Sequence, residues 1–140
     1  MAQRGHVLVV DDDSGIQRLI SAVLARDGWA YEVAGDGCEA IAAIERNRPD
    51  VILLDLMMPK MNGFEIIDHL RVIAPELLRR VIVLTAASNS TLKQLTAGDE
   101  IFKLIRKPFE LEELRICVRR CAGRAAVSQR HATRALDETA

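Results

Sequence analysis

The chain has 140 residues, 49% of them hydrophobic and 28% charged, with a formal net charge of −1. That length suits one domain able to bury a core, and the charge balance argues against nucleic-acid or anionic-membrane binding by bulk charge. No apolar run reaches membrane-spanning length and the N-terminus has no apolar signal core, so a cytoplasmic protein is expected. Cys38, Cys117 and Cys121 show no CxxC or Cys/His metal spacing and are expected to be buried free thiols in a reducing compartment.

In chain order, His6–Val10 reads as a short apolar strand that ends in Asp11-Asp12-Asp13. Ser14-Gly-Ile-Gln17 has the form of a capping box and opens a helix with Ile16, Leu19, Ile20, Val23 and Leu24 at helical spacing, closed by Asp27-Gly28. Trp29–Ala34 reads as a second strand. Cys38–Arg46 reads as a second helix with Cys38, Ile41 and Ile44 on its inner side. Val51-Ile-Leu-Leu54 is a four-residue apolar run, the pattern of a strand buried on both faces, and Asp55 follows it at once. Pro59 and Asn62-Gly63 then shape a turn before a third helix marked by Phe64, Ile67, Leu70 and Ile73.

Val81–Leu84 is a fourth buried strand, ending in Thr85-Ala86-Ala87. A polar helix is expected over 88–98, and a fifth strand over Ile101–Ile105, followed by Lys107-Pro108-Phe109. Glu110–Arg124 is a strong helix, acidic at its start and basic at its end, with Leu111, Leu114, Cys117, Val118 and Cys121 as its apolar face. The remaining polar, Ala-rich stretch reads as a frayed or disordered tail, which gives a domain over 1–122 and a tail or linker over 123–140.

Five strands alternating with five helices predict a doubly wound α/β fold: a five-stranded parallel sheet of flavodoxin-like order 2-1-3-4-5, with helices on both faces. No GxGxxG follows the first strand, which argues against the dinucleotide-binding fold. In a parallel sheet the carboxyl ends of the strands share one edge, where ligands bind. Asp11 and Asp12 after strand one, Asp55 after strand three, Thr85 after strand four and Lys107 after strand five should therefore converge. Clustered carboxylates raise one another's pKa, and a hard divalent cation relieves this. A carboxylate nucleophile, a metal site, an ammonium and a hydroxyl are the parts needed to form and hold an aspartyl-phosphate. Asp13 reads instead as a helix cap.

These residues resemble a known family. Val9-Val10-Asp11-Asp12-Asp13, Leu53-Leu54-Asp55-Leu56-Met57-Met58-Pro59, Val83-Leu84-Thr85-Ala86 and Lys107-Pro108-Phe109 look like the receiver domain of two-component response regulators, the CheY-like domains. The resemblance covers roughly residues 5 to 122, with 43, 30 and 22 positions separating Asp12, Asp55, Thr85 and Lys107. It implies that Asp55 is the phosphoacceptor for a sensor histidine kinase or a histidine phosphotransfer protein. It implies Mg2+ (or Mn2+) held by Asp12, Asp55 and the backbone carbonyl of Met57, with Asp11 acting through water. Lys107, Thr85 and Ala86 would contact the phosphoryl group and pass its arrival to the face of the fourth helix, fifth strand and fifth helix. The implied protein is a signalling domain that catalyses its own aspartyl phosphorylation and dephosphorylation rather than an enzyme. Its implied partners are the kinase and a downstream protein or a lost output domain, with a phosphorylation-dependent dimer through that same face and no direct nucleic-acid or membrane binding.

The sequence also departs from the family pattern. Leu104 stands three positions before Lys107, where the family usually has an aromatic switch residue. Phe102, two positions earlier, is expected on the same side of the strand as Leu104. Glu100-Ile101 replaces the usual Gly-Ala, within a variant segment over Ala97–Leu104. Met57 and Ala87 flank the path of attacking water without a side-chain amide or carboxylate to orient it.

Two other readings compete. A haloacid-dehalogenase-type phosphatase would use Asp11 as nucleophile with Asp13 as its pair, although Gly15 stands where that motif carries Thr. A non-phosphorylated receiver-fold binding module would leave the acidic residues idle. His6, His69 and His131 read as surface residues, and Arg115, Arg119, Arg120, Arg124, Arg130 and Arg134 as a solvated helix face or the start of a linker helix.

Overall fold

The structure, a computed structural model, describes residues 4–93, 95 and 101–124. Five strands, β1 (His6–Val10), β2 (Ala30–Ala34), β3 (Val51–Leu54), β4 (Val81–Thr85) and β5 (Lys103–Arg106), form one sheet in the order β2-β1-β3-β4-β5. All four pairings are parallel. The expected fold class and strand order are thus observed. β3 and β4 are buried at every residue, which is why they appear in the sequence as unbroken apolar runs rather than alternating ones.

Alternate strand residues feed two cores. Leu8, Val10, Ile52, Leu54, Val81 and Val83 pack beneath α2 (Gly37–Asn47), α3 (Gly63–Ile73) and the 3-10 turn Pro75–Arg80. Val7, Val9, Val51, Leu53, Ile82 and Leu84 pack beneath α1 (Ser14–Arg26) and α5, helical over 111–124. α4 is short, Asn89–Leu92, capped by the Ser88 hydroxyl, which accepts from Thr91 N. The expected helix over 88–98 otherwise falls mainly outside the described residues, as do the Ala97–Glu100 part of the variant segment, His131, Arg130, Arg134 and the tail beyond 124. No helix among the described residues is long and apolar enough to cross a membrane.

Several local expectations are corrected. The cap of α1 is Asp13, whose carboxylate accepts from Gly15 N and Ile16 N, and not Ser14; Gln17 is thereby freed from any capping box. α2 turns Ala40, Ala43 and Ile44 inward and leaves Cys38 exposed. At the start of that face Gly37 has no room for a side chain, because a Cβ would stand 2.3 Å from the Met61 carbonyl oxygen. Cys117 and Cys121 are buried free thiols as expected, and burial pushes the Cys121 thiol up to about 12.

α3 buries Ile66, Ile67 and Leu70 while Ile73 is exposed, and Leu111 likewise faces outward at the start of α5. Phe102 and Leu104 pack on opposite sides of the sheet, Leu104 against the α2–α3 core and Phe102 against the α1–α5 core. The physical reason is that β5 begins at Lys103, so strand alternation does not extend to Phe102. His69 is half-buried rather than a surface residue, with no hydrogen-bond partner for its Nε2. Arg115 is paired with Asp27 and Arg124 lies 5.8 Å over the Phe102 ring, so the arginines of α5 are not uniformly solvated.

Candidate functional site

The carboxyl ends of β1 and β3 lie side by side, Val10 opposite Leu54, and Asp55 N donates to the Val10 carbonyl at 2.9 Å. This pairing brings the first residue after each strand together. Asp11 and Asp55 are buried, Asp12 is exposed, and the three carboxylates each offer an oxygen within 4.8 Å of the others. Lys107, reached from the far edge of the sheet, places Nζ 2.7 Å from Asp11 Oδ2 and 3.5 Å from Asp55 Oδ2. Its backbone N–H donates to the Thr85 carbonyl at 2.9 Å, and the Lys107–Pro108 peptide is cis.

Each buried carboxylate is braced by its own loop. Asp11 Oδ1 accepts from Asp13 N at 2.9 Å, and Asp55 Oδ1 accepts from Met57 N at 3.1 Å. Burial pushes the Asp55 carboxyl above its usual range; the Met57 N–H and Lys107 oppose this, and the charge of Asp11 adds to it. Burial alone would lower the Lys107 ammonium, but its hydrogen bond and attraction to Asp11, then to Asp55, outweigh that and raise it. The loop after β3 is held by close approach. A Cβ at Gly63 would stand 2.6 Å from the Asp55 carbonyl oxygen and 2.6 Å from Leu56 Cα.

Thr85 is fully buried at the end of β4, and its hydroxyl accepts from Ala87 N at 3.1 Å. Ala86 is exposed and helps line an apolar hollow of about 460 Å³ beside Lys107, together with Ile16, Leu19, Phe109 and Leu111. The Met57 side chain points to solvent, at 57% exposure. Leu104 is half-buried and packs against the α2–α3 core. Asp13, read as a helix cap, does cap α1.

The donor set suits a hard divalent cation. Its side chains offer carboxylate oxygens, the one ammonium pairs with two of the three carboxylates, and no described residue donates a hydrogen bond to the exposed Asp12 carboxylate. One member of the arrangement escaped the sequence reading: Gln17 Nε2 donates to the Asp11 carbonyl at 2.5 Å. The signal available was its position one turn inside α1, from which a long side chain leans back over the helix N-terminus.

The model of the response regulator receiver domain family matches residues 7–119. The chain is 40% identical over 124 residues to the probable transcriptional regulatory protein TcrX of Mycobacterium tuberculosis, a match covering 87% of this chain and 51% of that protein. It is 39% identical over 111 residues to the response regulator MprA of a Mycobacterium species, covering 78% and 46%. The chain therefore spans about half the length of these curated relatives. Among solved structures, the receiver domain of the Francisella response regulator 1452 superposes with a TM-score of 0.73 at 34% identity, covering 86% of this chain and 98% of that one. The Vibrio cholerae chemotaxis protein CheY4 superposes with a TM-score of 0.75 at 32% identity, covering 86% and 99%. The chain thus belongs to the response regulator receiver domain family of two-component signalling, and not to the haloacid-dehalogenase-type phosphatases.

Proposed function

We propose that Asp55 accepts a phosphoryl group from a phosphohistidine of a sensor histidine kinase or a histidine phosphotransfer protein. The observation that carries this reading is the buried Asp55 carboxylate, with Lys107 Nζ 3.5 Å away and Asp11 and Asp12 beside it. An Asp55 oxygen attacks phosphorus, the phosphorus–nitrogen bond breaks, and the donor imidazole leaves with the bonding pair. Lys107 holds the phosphoryl oxygens as they gain charge, and backbone amides of the loop after Asp55 supply further donors. Mg2+ or Mn2+, held by Asp12, Asp55 and the Met57 carbonyl, with Asp11 through water, would neutralise charge on the transferring oxygens.

The product adds about −1.5 to −2 charges and three strong acceptors at the end of β3. The Thr85 hydroxyl, now bonded to Ala87 N, turns toward the phosphoryl group and draws the β4–α4 loop with it. Ala86 N–H joins it as a donor. The face of α4, β5 and α5 then repacks, with aliphatic Leu104 in place of an aromatic switch residue, and exposes a surface for a downstream partner, an output domain or a second copy. The receiver unit ends near residue 122, with 123–140 as tail or linker, and the protein works in the cytoplasm as a signalling domain that turns over its own phosphate.

The test is acetyl-phosphate labelling with Mg2+ followed by peptide mass analysis. The label is expected on Asp55 and is lost in Asp55→Asn. A label on Asp11 would refute the proposal; no label on the folded protein would favour the non-phosphorylated binding module.

A further inference from the structure

We propose that Gln17 is a positioning residue for the divalent-cation site and acts by fixing the backbone from which the Asp12 carboxylate projects. This rests on the reading of Asp11, Asp12 and Asp55 as that site. Asp12 is the one acid of the three that nothing described holds: Lys107 and Asp13 N bond Asp11, and Met57 N bonds Asp55. An exposed aspartate with no partner relies on its backbone for the point from which its side chain projects. The peptide joining Asp11 to Asp12 is planar, so fixing its carbonyl fixes the Asp12 nitrogen and, with it, the origin of the Asp12 side chain.

That carbonyl is the group Gln17 holds. Its Nε2 donates to Asp11 O at 2.5 Å, and the Gln17 backbone N–H donates to Asp13 O at 3.0 Å. The other side of Asp11 is tied as well, since Asp11 N donates to Ala34 O at 3.1 Å. The amide also lies beside the β2–α2 turn: a Cβ built on Gly35 would be 3.7 Å from Gln17 Nε2 and 3.7 Å from the Glu39 carboxylate, which itself accepts from Gly35 N at 2.8 Å. Gln17 is thus a strut from α1 into a loop pinned to the neighbouring strand. Mg2+ requires near-ideal octahedral geometry, whereas Ca2+ tolerates irregular ligand positions. Loosening one carboxylate should therefore weaken Mg2+ far more than Ca2+.

The experiment is titration calorimetry of Mg2+ and of Ca2+, each alone, against the full chain and its variants, with thermal melts in EDTA as a control. Gln17→Met keeps length and helix propensity but removes the donor. It is expected to weaken Mg2+ binding about tenfold, the usual scale for a residue that orients a ligand, with Ca2+ affinity nearly unchanged. Gln17→Glu cannot donate either, and its added charge acts on both ions alike, so its Mg2+-to-Ca2+ affinity ratio should fall as in Gln17→Met. It serves if Gln17→Met does not fold. Gln17→Lys retains a donor and should restore the ratio. An unchanged ratio in both donor-free variants overturns the proposal, as does equal loss for the two ions. Failure of the unaltered protein to bind either ion would instead overturn the reading of the site itself.

Discussion

Asp55 and Asp27 both sit beside a cation, yet their environments drive their carboxyls in opposite directions. Asp27 closes α1, at the end of the helix where the dipole disfavours an acid. Arg115 grips it with two parallel bonds, Nε to Oδ2 at 2.8 Å and an outer nitrogen to Oδ1 at 3.0 Å, and this hydrogen-bonded fork holds the carboxyl below its usual range. Asp55 lies deeper, its cation stands off at 3.5 Å and is shared with Asp11, and burial wins. The Asp27 pair clamps α5 to α1. Around Asp55 the fold instead disfavours the charged form, which an added positive charge would favour.

The sharpest way to break this contrast is to remove the shared cation. Lys107→Ala is expected to slow acetyl-phosphate labelling about 100-fold, the scale for deleting one charge-stabilising donor. It should also lower stability in EDTA by about 2 kcal/mol, since two sheltered carboxylates lose their counter-charge; urea denaturation at pH 7 reads that loss. A second variant reverses the sign. With its folded pKa raised, ionised Asp55 costs stability at neutral pH, and that cost fades as pH falls through the raised value. Asp55→Asn should therefore melt a few degrees higher than the unaltered protein in EDTA at pH 7, and a lower midpoint would contradict the burial argument. The smallest effect is at Asp27. Its folded pKa is lowered, so its contribution is complete above the ordinary carboxylate value of 3.8 and is lost as pH falls through the depressed one. Asp27→Asn should melt modestly lower at pH 7, with the difference closing as pH drops below 3.8, and labelling of Asp55 should be unaffected.

The strands and the convergence of Asp11, Asp12, Asp55 and Lys107 were legible because burial on both faces writes itself as apolar runs, and the polar residues that interrupt those runs mark the strand ends. Side chains that depend on where an element begins were not. Ser14 and Gln17 suit a capping box, but Asp13 makes a better acceptor one residue earlier, and Gln17 is released to brace Asp11. Phe102 falls outside β5 by one residue and so packs opposite Leu104. Cys38 lost its inner place because α2 turns Gly37, Ala40, Ala43 and Ile44 inward, and the close backbone contact at Gly37 is invisible in periodicity. The apolar hollow beside Lys107 draws residues from three segments of the chain and left no local pattern.

The close approaches at Gly37 and Gly63 also bear on heredity. The loop carrying Asp55 is wedged between them, with a Cβ at one meeting the Met61 carbonyl oxygen and a Cβ at the other meeting that of Asp55. Every missense change from glycine adds a Cβ, so neither codon has a conservative neighbour. Variation accumulating in this gene should spare these two positions, although neither glycine has a side chain to contribute to the chemistry.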